Sequence, residues 1–414
     1  MIGRTCSLLG AVFGLTLLAG CVSYQGGPGY AGPPPLTPGF AGAPSSGRAV
    51  AILAPLTGPN AERGDALVKA ARLALAARGA PMLDVRDTGG TPQGAAAAAA
   101  AALGAGDGLI IGPLTAAETA AVVAPAQAAG VAVLSFTNDS AQARPGVWTL
   151  GLTPAQQVRR MVGAVVAQGK TRFAAVLPQS DFGTAMGNAL TQAVAAAGAA
   201  PPDIHFHGDG NAAIAAAMRD VSGYTSRRGP LDQRIRAAKA AHDTRLVADL
   251  SRQGVGPAPF DALLLADTGD RLAWLSTFLA YYDIDPPSIR LLGPALWAAP
   301  AARSGASVNG AYYAAPDPAA RSGFDQSYAA KYGTPAPGLA DLAYDAAAIA
   351  RVLAQGGGFS AGSLTRADGF AGVDGVLALQ PDGGVRRGLA LFQVQRDGAA
   401  MIEPAPETLS APGI

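Results

Sequence analysis

The sequence predicts an α/β protein of two lobes, each a parallel sheet covered by helices on both faces. Three observations lead there. Short β-rich runs alternate with Ala-rich helical runs from residue 48 onward, the alternation starts afresh near Thr153, and the strand-to-helix connections are short loops rich in Gly, Pro, Thr and Asp. Strand, helix, strand at this spacing calls for right-handed crossovers, and these give a parallel sheet with both faces buried.

The elements follow in order. AVAILAPL at 49–56 is the first strand, with a helix expected over 61–78 and a second strand in MLDVRD at 82–87. The next helix, 93–103, holds eight consecutive alanines, Ala95 to Ala102. Lying between two strong strands, they read as a helix that packs close to the sheet because it lacks bulk, not as low-complexity disorder. GLIIG at 108–112, a helix over 116–129 and VAVLSF at 131–136 complete the first alternation. The second begins with RFAAVLP at 172–178, a helix over 182–197 and a strand around Ile204. The segment 212–253 leads to FDALLLAD at 260–267 and a helix over 270–282. LLGPALW, VNGAYYAAP, a helix over 339–354, VDGVLALQ and GLALFQV are too few for a third lobe, so this stretch is expected to cross back and complete both sheets.

Residues 8–18 form an apolar run about as long as a signal-peptide core and too short to span a bilayer. The run ends in Leu-Ala-Gly-Cys, which resembles a bacterial lipobox and implies cleavage before Cys21 and lipidation of its thiol. Val22 after the cysteine implies the outer membrane. Residues 22–47, rich in Gly, Pro, Ser and Ala, cannot bury enough surface to offset their ordering entropy and read as a tether. Composition excludes more than it names. With 414 residues, 50% apolar and 14% charged, the ordered part is globular. The net charge of +1 offers no global field for nucleic acid. Cys6 and Cys21 are the only cysteines, so the mature chain has no disulfide or thiol chemistry to offer.

Four segments, in order, carry a more specific signal: AILAPLTGPNAERGDALVKAARLAL, DTGGTPQGAAAAA, IIGPLTAAETAAVVAPAQAAGVAVLSFTND and GLTPAQQVRRMV. Together they resemble the first lobe of the type I periplasmic binding fold in its Leu/Ile/Val-binding branch. The resemblance implies two Rossmann-like lobes joined by three crossing strands, near Gly151, Ala315 and Val373, and an interlobe cleft for a ligand. It divides the chain into lobe 1 at 48–151 plus 316–373, lobe 2 at 152–315 plus 374–398, and a tail at 399–414. Loops at the C-terminal ends of parallel strands are also where polar groups and helix N-termini converge on physical grounds. The cleft candidates are therefore Thr57, Thr88, Thr115, Ala116, Thr137, Asn138 and Asp139 from the first lobe, with Asp267, Thr268 and Trp297 from the second. Each polar loop residue has a plainer reading as a turn or cap residue.

The amino-acid-binding relatives imply a serine where Ala116 stands and an acidic residue where Ala295 stands. Without a carboxylate partner a buried ammonium is strongly disfavoured, although Asp267 or Asp270 can take that place. The chain also carries an insertion: residues 219–250 hold seven basic and four acidic residues, including Arg227, Arg228, Arg234 and Arg236. This is a solvated charged face or a docking surface for an acidic partner. Lipobox, tether and insertion together resemble the penicillin-binding-protein activator lipoproteins, which imply regulation of a peptidoglycan synthase.

Enzymatic and metal readings are weaker. Gly358-Phe359-Ser360-Ala361-Gly362 matches a nucleophile elbow but follows a helix, and His205, His207 and His242 all precede it. His205 and His207 share a strand face, which can supply only two metal ligands. Trp274, Phe278, Tyr281 and Tyr282 recur at helical spacing, the usual mark of core packing. The sequence thus predicts a lipid-anchored periplasmic protein without catalysis, cofactor or metal. Its partner is a small polar ligand, amino acid or peptide-like, or else a peptidoglycan synthase, and the alternative role is the substrate-binding protein of an ABC importer.

Overall fold

The apolar runs at residues 50–54 and 173–178 become central strands whose side chains are buried on both faces, as parallel sheets require. A computed structural model describes residues 48–286 and 288–409. The expected signal segment, Cys21 and the Pro/Gly-rich tether lie outside the described residues.

In the first lobe, β1 (Val50–Ala54), α1 (Ala61–Ala74), β2 (Leu83–Asp87), α2 (Pro92–Ala105), β3 (Leu109–Ile111), α3 (Ala116–Ala128), β4 (Ala132–Ser135) and β5 (Val147–Thr149) build a five-stranded parallel sheet of order β2-β1-β3-β4-β5. The period-2 geometry of β1 sends Val50, Ile52 and Ala54 into one core and Ala51 and Leu53 into the other. The polyalanine helix α2 buries Ala95, Ala98, Ala99 and Ala102, a helical stripe that packs close to the sheet because each side chain is a methyl.

The chain then passes to the second lobe through α4 (Pro154–Ala167), β6 (Phe173–Pro178), α5 (Asp181–Ala196), β7 (Asp203–His207) and α6 (Asn211–Val221). The insertion folds as two further helices, α7 (Tyr224–Ala240) and α8 (Thr244–Ser251), around a small core of Leu231, Ala238 and Leu250. Next come β8 (Ala262–Leu265), α9 (Gly269–Tyr281), β9 (Arg290–Gly293) and β10 (Tyr312–Ala315). The return to the first lobe brings α10 (Pro318–Tyr332), α11 (Ala340–Gly356) and the one-turn α12 (Ala361–Leu364), with α11 lying along α1.

The C-terminal stretch departs from expectation. Among the described residues it adds no strand to the first sheet. Instead β11 (Phe370–Gly372), β12 (Gly375–Leu379) and β13 (Val385–Arg387) form a separate antiparallel sheet, its apolar face packed into the first core. Then β14 (Ala390–Gln395) and β15 (Gly398–Glu403) join the second sheet, whose order is β15-β14-β10-β9-β8-β6-β7 with β14 antiparallel to both neighbours. Residues 399–403, expected in the tail, therefore belong to its edge strand.

The lobes are coupled where the chain crosses. Gly151 lies so close to the loop after β4 that a Cβ would sit 2.7 Å from Thr137 and Asn138 backbone atoms. Trp148 Nε1 donates to the Gln380 carbonyl at 2.7 Å, Gln156 Nε2 to Val385 at 2.7 Å and Arg160 Nε to Leu389 at 2.9 Å. The first and third crossings are thereby stitched together.

Candidate functional site

At the C-terminal edge of the first sheet the loop residues are bonded chiefly to one another. Asp87 Oδ2 accepts the Thr57 hydroxyl at 2.7 Å, while its Oδ1 accepts the amides of Leu56 and Gly89 at 2.8 Å each. Partial burial pushes the Asp87 carboxyl up, but these donors outweigh it and hold it below its ordinary value. Thr88 is fully buried and its hydroxyl donates to Glu118 Oε1 at 2.5 Å. The other oxygen of Glu118 accepts the Thr115 amide at 3.0 Å and hydroxyl at 2.7 Å, while Thr115 Oγ1 caps α3 by accepting the Glu118 amide. Ala116 opens α3 and brings no polar group. Thr137 is buried and accepts the Asp139 amide at 3.1 Å, and Asp139 caps the next turn through the Ala141 amide. The Asn138 side chain is exposed and makes no hydrogen bond among the described residues.

The facing edge of the second lobe is charged. Asp267, buried at the end of β8, receives His207 Nε2 at 2.9 Å on Oδ2 and faces Arg271 Nε at 3.3 Å across Oδ1. His207 Nδ1 lies 3.0 Å from the Gly208 carbonyl. Both ring nitrogens thus meet oxygen acceptors, an arrangement that suits the doubly protonated imidazolium. Burial works against that charge, but the bonds to Asp267 and Gly208 and the Asp267 charge together raise the His207 pKa above its ordinary value. Arg271 also holds Asp209 at 2.8 Å. These groups, with Gln179, Ser180, Thr268 and the exposed Leu296, line a cavity of about 330 Å³. A second cavity of about 300 Å³ lies between the Asp139–Ala141 turn of the first lobe and α4 and α5 of the second.

Several expected roles change. Asp267 Oδ2 is bonded to His207, and its Oδ1, buried without a hydrogen-bond partner, lies 3.3 Å from Arg271 Nε, so one oxygen is engaged and the other faces a guanidinium. Trp297 is no cleft wall: it is fully buried over Gly293, where a Cβ would come 2.2 Å from the ring, and its Nε1 donates to the Asp267 carbonyl at 2.9 Å. Leu296 faces the cavity in its place. Arg227 is a structural tie, donating to the carbonyls of Gly256, Ser222, Tyr282 and Asp283. Arg228 pairs with Asp232 and Arg234 reaches Gln253 at 3.3 Å, whereas Arg236 projects exposed from α7. The aromatic set divides: Tyr282 is core, Trp274 and Tyr281 are exposed. Ser360 caps α12. Among the described residues no three His, Cys, Asp or Glu side chains gather closely enough to hold a metal ion.

Sequence reasoning missed Glu118, His207 as the Asp267 partner, Arg271 and Phe182, which lines the second-lobe cavity. Thr-Ala-Ala-Glu at 115–118 is a readable capping box, which would have found Glu118. No local pattern pairs His207 with Asp267.

Two α/β lobes, crossed three times by the chain and facing each other across loops at their strand ends, have the architecture of the type I periplasmic binding fold. Residues 49–211 match the family model described as periplasmic binding protein. Solved structures sharing the fold include a Rhodospirillum rubrum protein assigned to branched-chain amino acid ABC transport, 20% identical over 86% of this chain and 100% of that one, with TM-score 0.63. Another is the C-domain of Haemophilus influenzae LpoA, a regulator of PBP1A, 18% identical over 85% of this chain and 99% of that one, with TM-score 0.57. Full-length LpoA from the same organism is 18% identical over 87% of this chain, with TM-score 0.58, and the chain spans 60% of its length. No curated protein matches in sequence.

Proposed function

We propose that the chain is a non-catalytic lipoprotein of the periplasm, anchored through Cys21 to the outer membrane, that regulates a peptidoglycan synthase by docking to it. One observation carries this over amino-acid capture: the groups expected to hold a zwitterion are engaged within the protein. Thr88 and Thr115 are tied to Glu118, and Asp267 is bonded through Oδ2 to His207 while its Oδ1 faces Arg271 at 3.3 Å. Freeing either set for a ligand means breaking buried charge-assisted bonds, each worth about 1.5–3 kcal/mol. The synthase reading draws on LpoA, and the exposed basic face of α7 and α8, with Arg234 and Arg236, is the surface proposed to meet an acidic partner.

The second reading is the substrate-binding protein of an importer. The 330 Å³ cavity favours it, because Thr268 stands at the head of α9 with no capping bond and can reach a small polar solute. Thermal melting with the common amino acids and short cell-wall peptides separates the two. A native-state ligand at 100 times its Kd adds about 2.7 kcal/mol, a shift of several degrees. The regulator reading expects no such shift and retention of a purified synthase on immobilised protein, weakened by Arg234→Glu with Arg236→Glu. A saturable amino-acid shift with no retention of the synthase would establish the receptor instead.

A further inference from the structure

Five buried or half-buried charges meet at the interlobe hinge, carried by four parts of the chain. Arg321 of α10 approaches Asp341 of α11 at 2.9 Å and Asp374, in the turn between β11 and β12, at 3.9 Å, and it also pairs with the more exposed Asp325 at 3.1 Å. One turn along α11, Asp345 accepts the Val373 amide at 2.7 Å and faces Arg387 of β13 at 3.8 Å. Arg387 donates to the Leu150 carbonyl at 3.0 Å, which brings the first crossing into the same cluster. The side chains of Asp341, Asp345, Asp374 and Arg387 are at most 10% exposed.

Asp341 and Asp374 converge on the same Arg321 Nη1, at 2.9 and 3.9 Å, and two buried carboxyls brought together in this way are held at least cost with one proton between them. Charge balance asks for the same proton. Two arginines face three buried aspartates, so the ionised cluster carries one negative charge too many, and one shared proton makes it neutral. An uncompensated buried charge is costly, and here it would fall where the third crossing meets α11. The crossing fits closely there: a Cβ on Gly372 would come 2.6 Å from Asp345 Oδ2, and Gly375 has φ +98°, which favours glycine.

We propose that the proton shared by Asp341 and Asp374 is a latch on the interlobe hinge, holding the third crossing against α11, and that its loss at alkaline pH frees residues 370–379. Burial, with the neighbouring Asp341 carboxyl, pushes Asp374 up to about 8, so the latch is closed at neutral pH and opens just above it. The mechanism is independent of what the cleft or the docking face binds.

Amide exchange of the mature chain, followed by mass spectrometry between pH 6 and 9.5 and normalised to the intrinsic chemical rate, tests it. In the wild type, protection of a peptide covering 370–379 is expected to fall about tenfold around pH 8 while the β6 peptide stays constant. Asp374→Asn keeps a donor to Asp341 but has no proton to lose, so its profile is expected to be flat. Should that variant not fold, Asp341→Asn serves from the other side of the pair. A wild-type profile without a step, a step shared equally by β6, or a step preserved in the folded variant would each overturn the latch.

Discussion

Glu118 engages both carboxylate oxygens with the two loops that ought to face a ligand, so it decides how rigid the first-lobe edge is. Replacing it by Ala leaves the buried Thr88 hydroxyl and the Thr115 amide without their acceptor and removes half of a capping box. The expected loss is about 2 kcal/mol, read as a lower urea midpoint at unchanged slope. A midpoint within error of the wild type would mean that the loops hold themselves. Across the cleft, His207 and Asp267 make a pH-dependent pair. The folded pKa of His207 is raised, so its contribution to stability is complete below the unfolded value of about 6.5 and is lost as pH rises through the folded one. Asp267→Asn removes the partner of a buried charge and should cost about 3 kcal/mol near pH 6, and less as pH rises through the folded value and the imidazole becomes neutral. Proton NMR checks the premise directly, because His205, His207 and His242 are the only histidines. If none titrates above the ordinary range, the pair is not ionic.

The α7–α8 hairpin holds two kinds of arginine that the sequence could not separate. Arg227→Ala strips four backbone carbonyls of their donor and is expected to cost about 2 kcal/mol of folding stability. Arg236→Ala should leave stability within about 0.5 kcal/mol and change only binding. Denaturant melts of the two variants settle the division, and equal costs would show that α7 is stapled along its whole length. The difference was hidden because Arg227 donates to residues as distant in sequence as Gly256 and Asp283. The same physical limit explains what else was readable. Central strands such as β1, β6 and β8 are buried on both faces, so they appear as continuous apolar runs, and helix starts such as Thr115 and Thr153 announce themselves through capping boxes. The edge strand β15 alternates without a buried face, and β11 to β13 are only three to five residues each, so neither signal survives in isolation. His207 and Asp267 meet over the end of β6, because the strand order runs β8-β6-β7, a fact of topology that no spacing encodes. Trp297 read as a cleft residue because its loop faces the crevice, yet the tight turn at Gly293 leaves the ring nowhere to go but inward.

For the molecule as a whole these buried groups set how stability depends on pH. Burial raises three carboxyls in the folded state: Asp374 to about 8, Asp345 to about 6 and Asp107 to about 6, the last also through its bond to Asp84. Each binds a proton in the native chain that it releases on unfolding, so each contributes stability that is complete below about pH 3.8 and is lost as pH rises through the folded value. His207 acts in the same sense. Asp87, Asp341 and Asp368 are shifted the opposite way, below their ordinary values, as is Asp261, held down to about 2 by its bond with Arg172 and by two backbone amides. Its contribution is present above the unfolded value and is lost only as pH falls through about 2, outside the window where the others titrate. Between pH 5.5 and 8.5 the balance has one sign: stability falls as pH rises, because the native chain holds more protons than the unfolded one. We expect the melting temperature to drop by several degrees across that interval, with proton release on unfolding detectable as a buffer-dependent enthalpy in calorimetry. Asp374→Asn should flatten the upper half of the slope, above pH 7, and leave the lower half to Asp345, Asp107 and His207. A melting temperature that rose toward pH 8.5 would require Asp374 to be ionised at neutral pH, and the hinge would then carry an unbalanced negative charge that its two arginines cannot neutralise.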